Sequence, residues 1–159
     1  IATGIGGQTC EEIDIETWDR VMNVNVRGTW LTIKACLPYL RKAGNGKIVN
    51  VASDTALWGA PNLLHYVSSK GAIIAMTRSL ARELGPDGIS INAIAPGLTL
   101  VEATEYVPEI RHRFNIEARS MPRAMVPDDV VGPVMYLLSD AADFVTGQLL
   151  PANGGFVFN

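Results

Sequence analysis

The sequence predicts an α/β fold in which a parallel sheet is covered by helices, and three observations lead there. Two short runs, Lys47-Ile48-Val49-Asn50-Val51-Ala52-Ser53 and Ile89-Ser90-Ile91-Asn92-Ala93-Ile94-Ala95, are rich in β-branched residues and read as buried strands. Segments with the 3.6-residue period of an amphipathic helix precede and separate them. The resulting order of strand, helix, strand, excursion with helix, strand is the alternation that parallel sheets need for their crossovers. Ligands on such sheets bind beyond the carboxyl ends of the strands, and Ser53 and Pro96-Gly97 fall at those ends.

The first helix covers residues 15–40, where Trp18, Val21, Val24, Leu31, Ala35 and Leu40 recur near the helical period. Asp14 suits its N-cap, since a carboxylate accepts from the first unpaired backbone N–H groups, and Gly44-Asn45-Gly46 stops it. After the first strand, residues 54–63 are small, contain Pro61 and read as a loop. A second long helix covers residues 64–84 and ends at Gly85-Pro86-Asp87-Gly88. Beyond Pro96-Gly97, residues 98–126 form a long excursion with weak helical pieces. Pro127-Asp128-Asp129 opens a third helix through Leu138, and residues 147–150 make a last short strand.

Of the 159 residues, 48% are apolar and 18% charged, which fits one ordered domain spanning residues 1–159 and argues against disorder. The net charge is −3 with no basic run, so no nucleic acid partner is expected. Apolar stretches are interrupted well short of a membrane span, and no signal-peptide pattern opens the sequence. Cys10 and Cys36 show no metal-ligand spacing with His65 and His112, so no metal is expected. They read as reduced thiols of a cytoplasmic protein.

Tyr66 and Lys70 are four apart on the second helix and share a face, with Ser53 at the mouth of the preceding strand. A phenol titrates near ~10 and is a poor base at neutral pH. A neighbouring ammonium favours the phenolate, so Lys70 is expected to lower the Tyr66 pKa toward acid/base work. Ser53 is placed to hydrogen-bond a substrate oxygen beside the Tyr66 hydroxyl. Taken alone, the pair also fits an amphipathic face with a snorkelling lysine.

Ser53, twelve intervening residues and Tyr66-Val67-Ser68-Ser69-Lys70 resemble the serine and Tyr-x-x-x-Lys spacing of the short-chain dehydrogenase/reductase family. Other segments resemble the family in the right order. These are Trp18 with Asn25-Val26-Arg27-Gly28, Asn92-Ala93-Ile94-Ala95-Pro96-Gly97, Leu138-Ser139-Asp140 with Thr146-Gly147-Gln148, and Asn153-Gly154-Gly155. The resemblance implies a Rossmann-type doubly wound parallel sheet and hydride exchange between a secondary alcohol or ketone and NAD or NADP. It implies Tyr66 as general acid/base, Ser53 orienting the substrate oxygen, and Lys70 holding the cofactor's ribose hydroxyls. Asn25 would support a proton-relaying water, and Pro96, Gly97 and Thr99 would lie at the nicotinamide. Dehalogenase relatives carry arginine where Lys70 stands, so the lysine points to redox chemistry.

Thr3-Gly4-Ile5-Gly6-Gly7 looks superficially like the family's cofactor loop, but no strand precedes it and it reads as an ordinary loop. The resemblance places Ile1 just past the end of the family's fourth strand. The cofactor half, roughly 80–100 residues at ~30 per βαβ unit, is therefore expected outside this sequence, leaving an incomplete sheet with an unpaired edge. The chain is expected to be the carboxyl-terminal portion of the domain, and by itself to bind cofactor weakly and aggregate. The family's threonine after Pro-Gly falls at Val101, with Thr99 two positions earlier, and Asn153 in place of a common aspartate reads as neutral. Trp58, Leu63, His65, Tyr106, His112 and Phe114 are candidate walls of an apolar or aromatic pocket, Trp58 as a substrate contact. The helices and the apolar tail Phe156-Val157-Phe158 point to a homo-oligomer, a tetramer or dimer. An alternative function is that of a non-catalytic truncated relative acting through association with another subunit.

Overall fold

The computed structural model describes residues 6–158. Asp14 caps helix α1 (Ile15–Met22) as expected, its carboxylate accepting from the Thr17 N–H at 2.6 Å. The backbone then makes one π-helical turn, Asn23–Arg27, and continues unbroken as α2 (Gly28–Ala43). The single helix expected over residues 15–40 is thus two helices around a widened turn. Gly44 ends α2 at φ 82°, the left-handed conformation that glycine adopts without strain.

Among the described residues the sheet has three parallel strands, β1 (Lys47–Val51), β2 (Ser90–Pro96) and β3 (Leu149–Ala152), in that spatial order. The register pairs Val49 with Asn92 and Ala93 with Leu149. The first strand ends two residues earlier than its β-branched run suggests, and the last starts two residues later. Gly147 and Gln148 are spent on the approach instead, donating to the Ile91 carbonyl at 2.8 Å and the Asn92 Oδ1 at 3.0 Å. The expected loop over residues 54–63 contains a short helix, α3 (Thr55–Trp58), closed by Gly59 at φ 71°.

Helix α4 (Leu64–Leu84) matches its expected bounds. Its buried positions Ser69, Ile73, Thr77, Ala81 and Leu84 return every three to four residues, one face of a helix. Ile73 packs with Ala52 and Ala93, while Ala81 meets Ile33 of α2 and Ile91 of β2. Full burial of a side chain such as Ile73 contributes about 1.5–3 kcal/mol. Helix α5 (Glu109–Glu117) lies within the excursion, and α6 (Asp128–Leu138) packs on all three strands. No described helix is long and apolar enough to cross a membrane.

This layering puts the carboxyl ends of the strands side by side. The Asp54 N–H donates to the Pro96 carbonyl and the Gly97 N–H to the Ala152 carbonyl, each at 3.1 Å. Among the described residues β1 pairs with β2 alone. A cleft of about 690 Å³ runs along its other edge, lined by Ile33, Ile48, Val49, Asn25 and Lys70 among others.

Candidate active site

Ser53 leaves β1 buried at the sheet's carboxyl end. Its Oγ accepts from the Thr55 N–H at 3.3 Å and the Thr55 hydroxyl at 2.9 Å, which fixes the oxygen from behind. The Ser53 hydroxyl is in turn close enough to hydrogen-bond the Tyr66 side chain and ease its ionisation. The first turns of α4 supply Tyr66 and Lys70 on one face, as their spacing requires.

The electrostatics of the pair differ from the sequence expectation. Tyr66 is not depressed by Lys70. Burial raises its pKa, the Ser53 bond opposes that shift, and the phenol of Tyr106 and the carboxyl of Asp54 add to it. Lys70 lies with its Nζ 5.6 Å from the centroid of the Tyr66 ring and donates to the Val51 carbonyl at 2.9 Å. Burial lowers the Lys70 pKa, because a desolvated ammonium loses stability relative to the neutral amine. The sequence showed the partner but not the burial, and burial dominates.

Asn25 sits buried in the π-helical turn. Its Nδ2 donates to Ser69 Oγ at 3.0 Å, and that hydroxyl donates to the Tyr66 carbonyl at 2.7 Å. Three segments far apart in sequence thus bring Asn25 from the π turn, Ser53 from the end of β1, and Tyr66 and Lys70 from α4 into one neighbourhood. A π turn widens the helix locally and recurs at functional sites.

Pro96 and Gly97 stand beside Ser53 at the end of β2. A Cβ at Gly97 would come within 3.0 Å of Asn153 Cβ and 3.1 Å of both Asp54 Oδ2 and Arg119 Nη2, so any larger residue would have to push these side chains aside by a few tenths of an ångström. The Thr99 hydroxyl is committed locally, donating to the Gly97 carbonyl at 3.0 Å. Trp58 packs edge-on against Phe156 with centroids 5.4 Å apart, and Phe114 does the same from the other side at 5.9 Å. Phe156 of the apolar tail therefore sits between the rings of Trp58 on α3 and Phe114 on α5. His65 is fully buried and its Nδ1 accepts from the Tyr66 N–H at 2.9 Å, which makes it a prop for the helix start and not a pocket wall. His112 stands within 3.3 Å of the Thr104 carbonyl. Gly7 is held to the Asn62 carbonyl at 3.0 Å and opens no helix, as expected for an ordinary loop, while Thr3-Gly4-Ile5 lie outside the described residues.

The sequence reading missed three contributors. Asp54 follows Ser53 directly and is buried with its pKa pushed up to about 6 by desolvation, against the pull of Arg119, Asn153 and Trp58. Arg119 is buried within an excursion that has no period to read. Asn153, read as neutral, is buried, accepts from the Gly155 N–H at 3.0 Å and donates to the Val157 carbonyl at 3.1 Å. Adjacency to Ser53 was the one available signal for Asp54.

A family model described as Enoyl-(Acyl carrier protein) reductase matches residues 1–157. The chain is 37% identical over 142 residues to a 3-oxoacyl-[acyl-carrier-protein] reductase of Thermotoga maritima, covering 89% of this chain and 58% of that protein. It is 36% identical over 149 residues to a 3-alpha-(or 20-beta)-hydroxysteroid dehydrogenase of Mycobacterium tuberculosis, covering 94% of this chain and 55% of that protein. It thus spans somewhat more than half the length of these curated relatives. Among solved structures, a 3-ketoacyl-(acyl-carrier-protein) reductase from Brucella melitensis complexed with NADH superposes with a TM-score of 0.89 at 31% identity, over 99% of this chain and 65% of that one. A structure described as a candidate NAD(P)-dependent gluconate 5-dehydrogenase from Beutenbergia cavernae, with NADP at low occupancy, gives 0.90 at 33% identity, over 96% and 63%. With this match across almost its whole length and a Rossmann-like α/β fold on a parallel sheet, the chain belongs to the short-chain dehydrogenase/reductase family.

Proposed function

We propose that the protein is an NAD- or NADP-dependent oxidoreductase that interconverts a secondary alcohol and a ketone. One observation carries the reading: the Ser53 hydroxyl reaches the Tyr66 side chain at the end of β1, with Lys70 one helical turn further on. The residues fit the nicotinamide and ribose end of such a cofactor. The half-buried Lys70 lines the cleft beside β1 together with Asn25, and Gly97 leaves space where a Cβ would crowd its neighbours. Lys70, Pro96, Gly97 and the backbone of Thr99 would hold that end. When bound, the cofactor supplies or accepts the hydride.

The protein's own side chains handle the proton and the geometry. Ser53 holds the substrate oxygen against the Tyr66 hydroxyl. Burial that raises the Tyr66 pKa keeps its proton in place at neutral pH, which suits donation to a ketone oxygen during reduction. In the oxidative direction the Tyr66 phenolate takes the alcohol proton. Asn25 supports the turn that carries Tyr66 and Lys70, from which a water relay to solvent would run. Trp58 and Phe156 form the apolar wall for the carbon chain. Oxidation of NADH or NADPH by the full-length protein on a ketone panel tests this. Ketone-dependent turnover is expected, and its absence across both cofactors sinks the reading.

The open edge of β1 favours a companion reading, that further strands complete the sheet there. Val51 is half exposed at that edge, and the relatives carry over a third more length than this chain covers. Should no such segment be attached, association of an inactive chain with another subunit becomes the better account. The exposed Val131, Met135 and Tyr136 on α6, with Phe144 beyond it, support a homo-oligomer, which light scattering checks. Unpaired Cys10 and Cys36 support a cytoplasmic location.

A further inference from the structure

The excursion between β2 and α6 borders the site, since Tyr106 within it acts on Tyr66 and Phe114 packs on Phe156. Its two ends are held together from inside. Arg119 donates through Nη2 to the Leu98 carbonyl at 2.7 Å and through Nη1 to the Arg123 carbonyl at 2.9 Å. Leu98 is where the excursion leaves the sheet and Arg123 is where it returns to α6. The Leu100 N–H and the Met125 carbonyl close the same neck at 2.9 Å.

Arg119 is buried, and a buried guanidinium needs a counter-charge. Asp54 provides it. Its Oδ2 and Arg119 Nη2 each lie 3.1 Å from the point where a Cβ on Gly97 would stand, so they are no further apart than twice that distance. Asp54 faces Arg119 and Tyr66, and Arg119 faces Arg123 and Asp129 in addition. Arg123 is occupied by Asp129 at 2.7 Å, which leaves Asp54 as the partner on the strand side.

We propose that Arg119, with Asp54 as its counter-charge, is a positioning residue that sets the excursion over the Ser53–Tyr66 pair and so controls substrate binding. This deepens the oxidoreductase reading and rests on it. A guanidinium is needed because two carbonyls must be met at once in a fixed plane; an ammonium carries the charge but lacks the fork. The residue touches no reacting atom, and its effect travels through the neck to Tyr106 and Phe114.

The test uses the full-length protein with Arg119→Lys, Arg119→Gln, Asp54→Asn and the double variant Arg119→Gln/Asp54→Asn. In Arg119→Lys, KM for the ketone is expected to rise about tenfold while kcat and cofactor Kd stay within about twofold. Trypsin cleavage after the exposed Arg113 should quicken about fivefold in Arg119→Lys, because local opening exposes the excursion. Arg119→Gln strands the Asp54 carboxylate, so Asp54→Asn should raise heat stability more in the Arg119→Gln background than as a single change in the wild type, a coupling that independent sites do not show. Equal cleavage rates in wild type and Arg119→Lys, a fall in kcat at unchanged KM, or additive effects in the double variant overturn the proposal. If no ketone is turned over by the wild type, the oxidoreductase reading fails by itself, and the trypsin and stability arms still decide the role of Arg119. Should Arg119→Gln not fold, the Arg119→Lys arm is sufficient.

Discussion

Two flanks meet at Ser53, and their polar chemistry is arranged differently. On the α4 flank, Asn25 reaches Ser69, Ser69 reaches the Tyr66 carbonyl and Lys70 reaches the Val51 carbonyl, all at 3.0 Å or less. On the excursion flank, Asp54 Oδ2 and Arg119 Nε are buried outside hydrogen-bonding geometry, and the pull of Arg119, Asn153 and Trp58 on the Asp54 carboxyl does not offset its burial. The α4 flank is built on a regular helix and a strand, elements that hold side chains to a fixed geometry. The excursion flank keeps unmet polar groups in low dielectric, where each one costs free energy and small rearrangements are rewarded. Chemistry requiring fixed distances belongs to the first, and recognition requiring adjustment to the second.

The strongest way to break this division is Tyr66→Phe, which removes the proton donor and leaves the ring. We expect kcat to fall by about 10²–10⁴-fold with cofactor Kd changed less than about twofold, read by steady-state kinetics and fluorescence titration. A loss below tenfold would move the acid/base role off the α4 flank.

Asp54→Asn probes the other flank through stability. The folded pKa of about 6 stands above the ordinary 3.8, so the neutral acid is the favoured buried form. That contribution is fully present below the ordinary value and is lost as pH rises through the folded one. An asparagine mimics the neutral acid at every pH. Because the same asparagine leaves the buried Arg119 guanidinium without its counter-charge, the comparison is made in the Arg119→Gln background, where the added Asp54→Asn should raise stability more at pH 8 than at pH 4, by urea unfolding at the two pH values. A destabilised variant at pH 8 would mean that the excursion flank is as well partnered as the α4 flank.

Smaller effects sharpen the contrast. Ser69→Ala removes one hydrogen bond of the Asn25 amide and should cost about 1 kcal/mol in the same assay. Phe114→Ala removes one edge-to-face contact on a half-exposed ring and should cost about 1 kcal/mol, while raising KM for the ketone more than it lowers kcat. If the two substitutions exchange signatures, with Ser69→Ala acting on KM alone, the division of labour is wrong.

The contrast also explains what could be read from the sequence. The end of α4 was legible because a Gly-Pro turn closes it. The pairing of Tyr66 with Lys70 was legible because helix spacing fixes which side chains share a face, and Ser53 joined them through the family's spacing and its place at a strand end. The Arg119 staple was not, because it joins two backbone carbonyls whose positions obey no repeat. The sign of the Tyr66 shift failed for a related reason. A neighbouring lysine is visible in sequence, whereas desolvation by burial is a property of the folded surroundings. The widened turn at Asn25 escaped as well, since a period averaged over residues 15–40 absorbs one extra residue without notice.

That turn sets a rule for tolerated insertions and deletions. A π turn fits one residue more than an α turn into the same full rotation, so the extra residue is absorbed locally and the helices on either side keep their faces. Removing a single residue from Asn23–Arg27 would let the segment relax into an ordinary helix with Ile33 still facing Ile91, whereas removing one from within α2 would turn everything beyond it by about 100°. A deletion in the turn would thus be felt at Asn25 and its bond to Ser69, and not in the packing of α2.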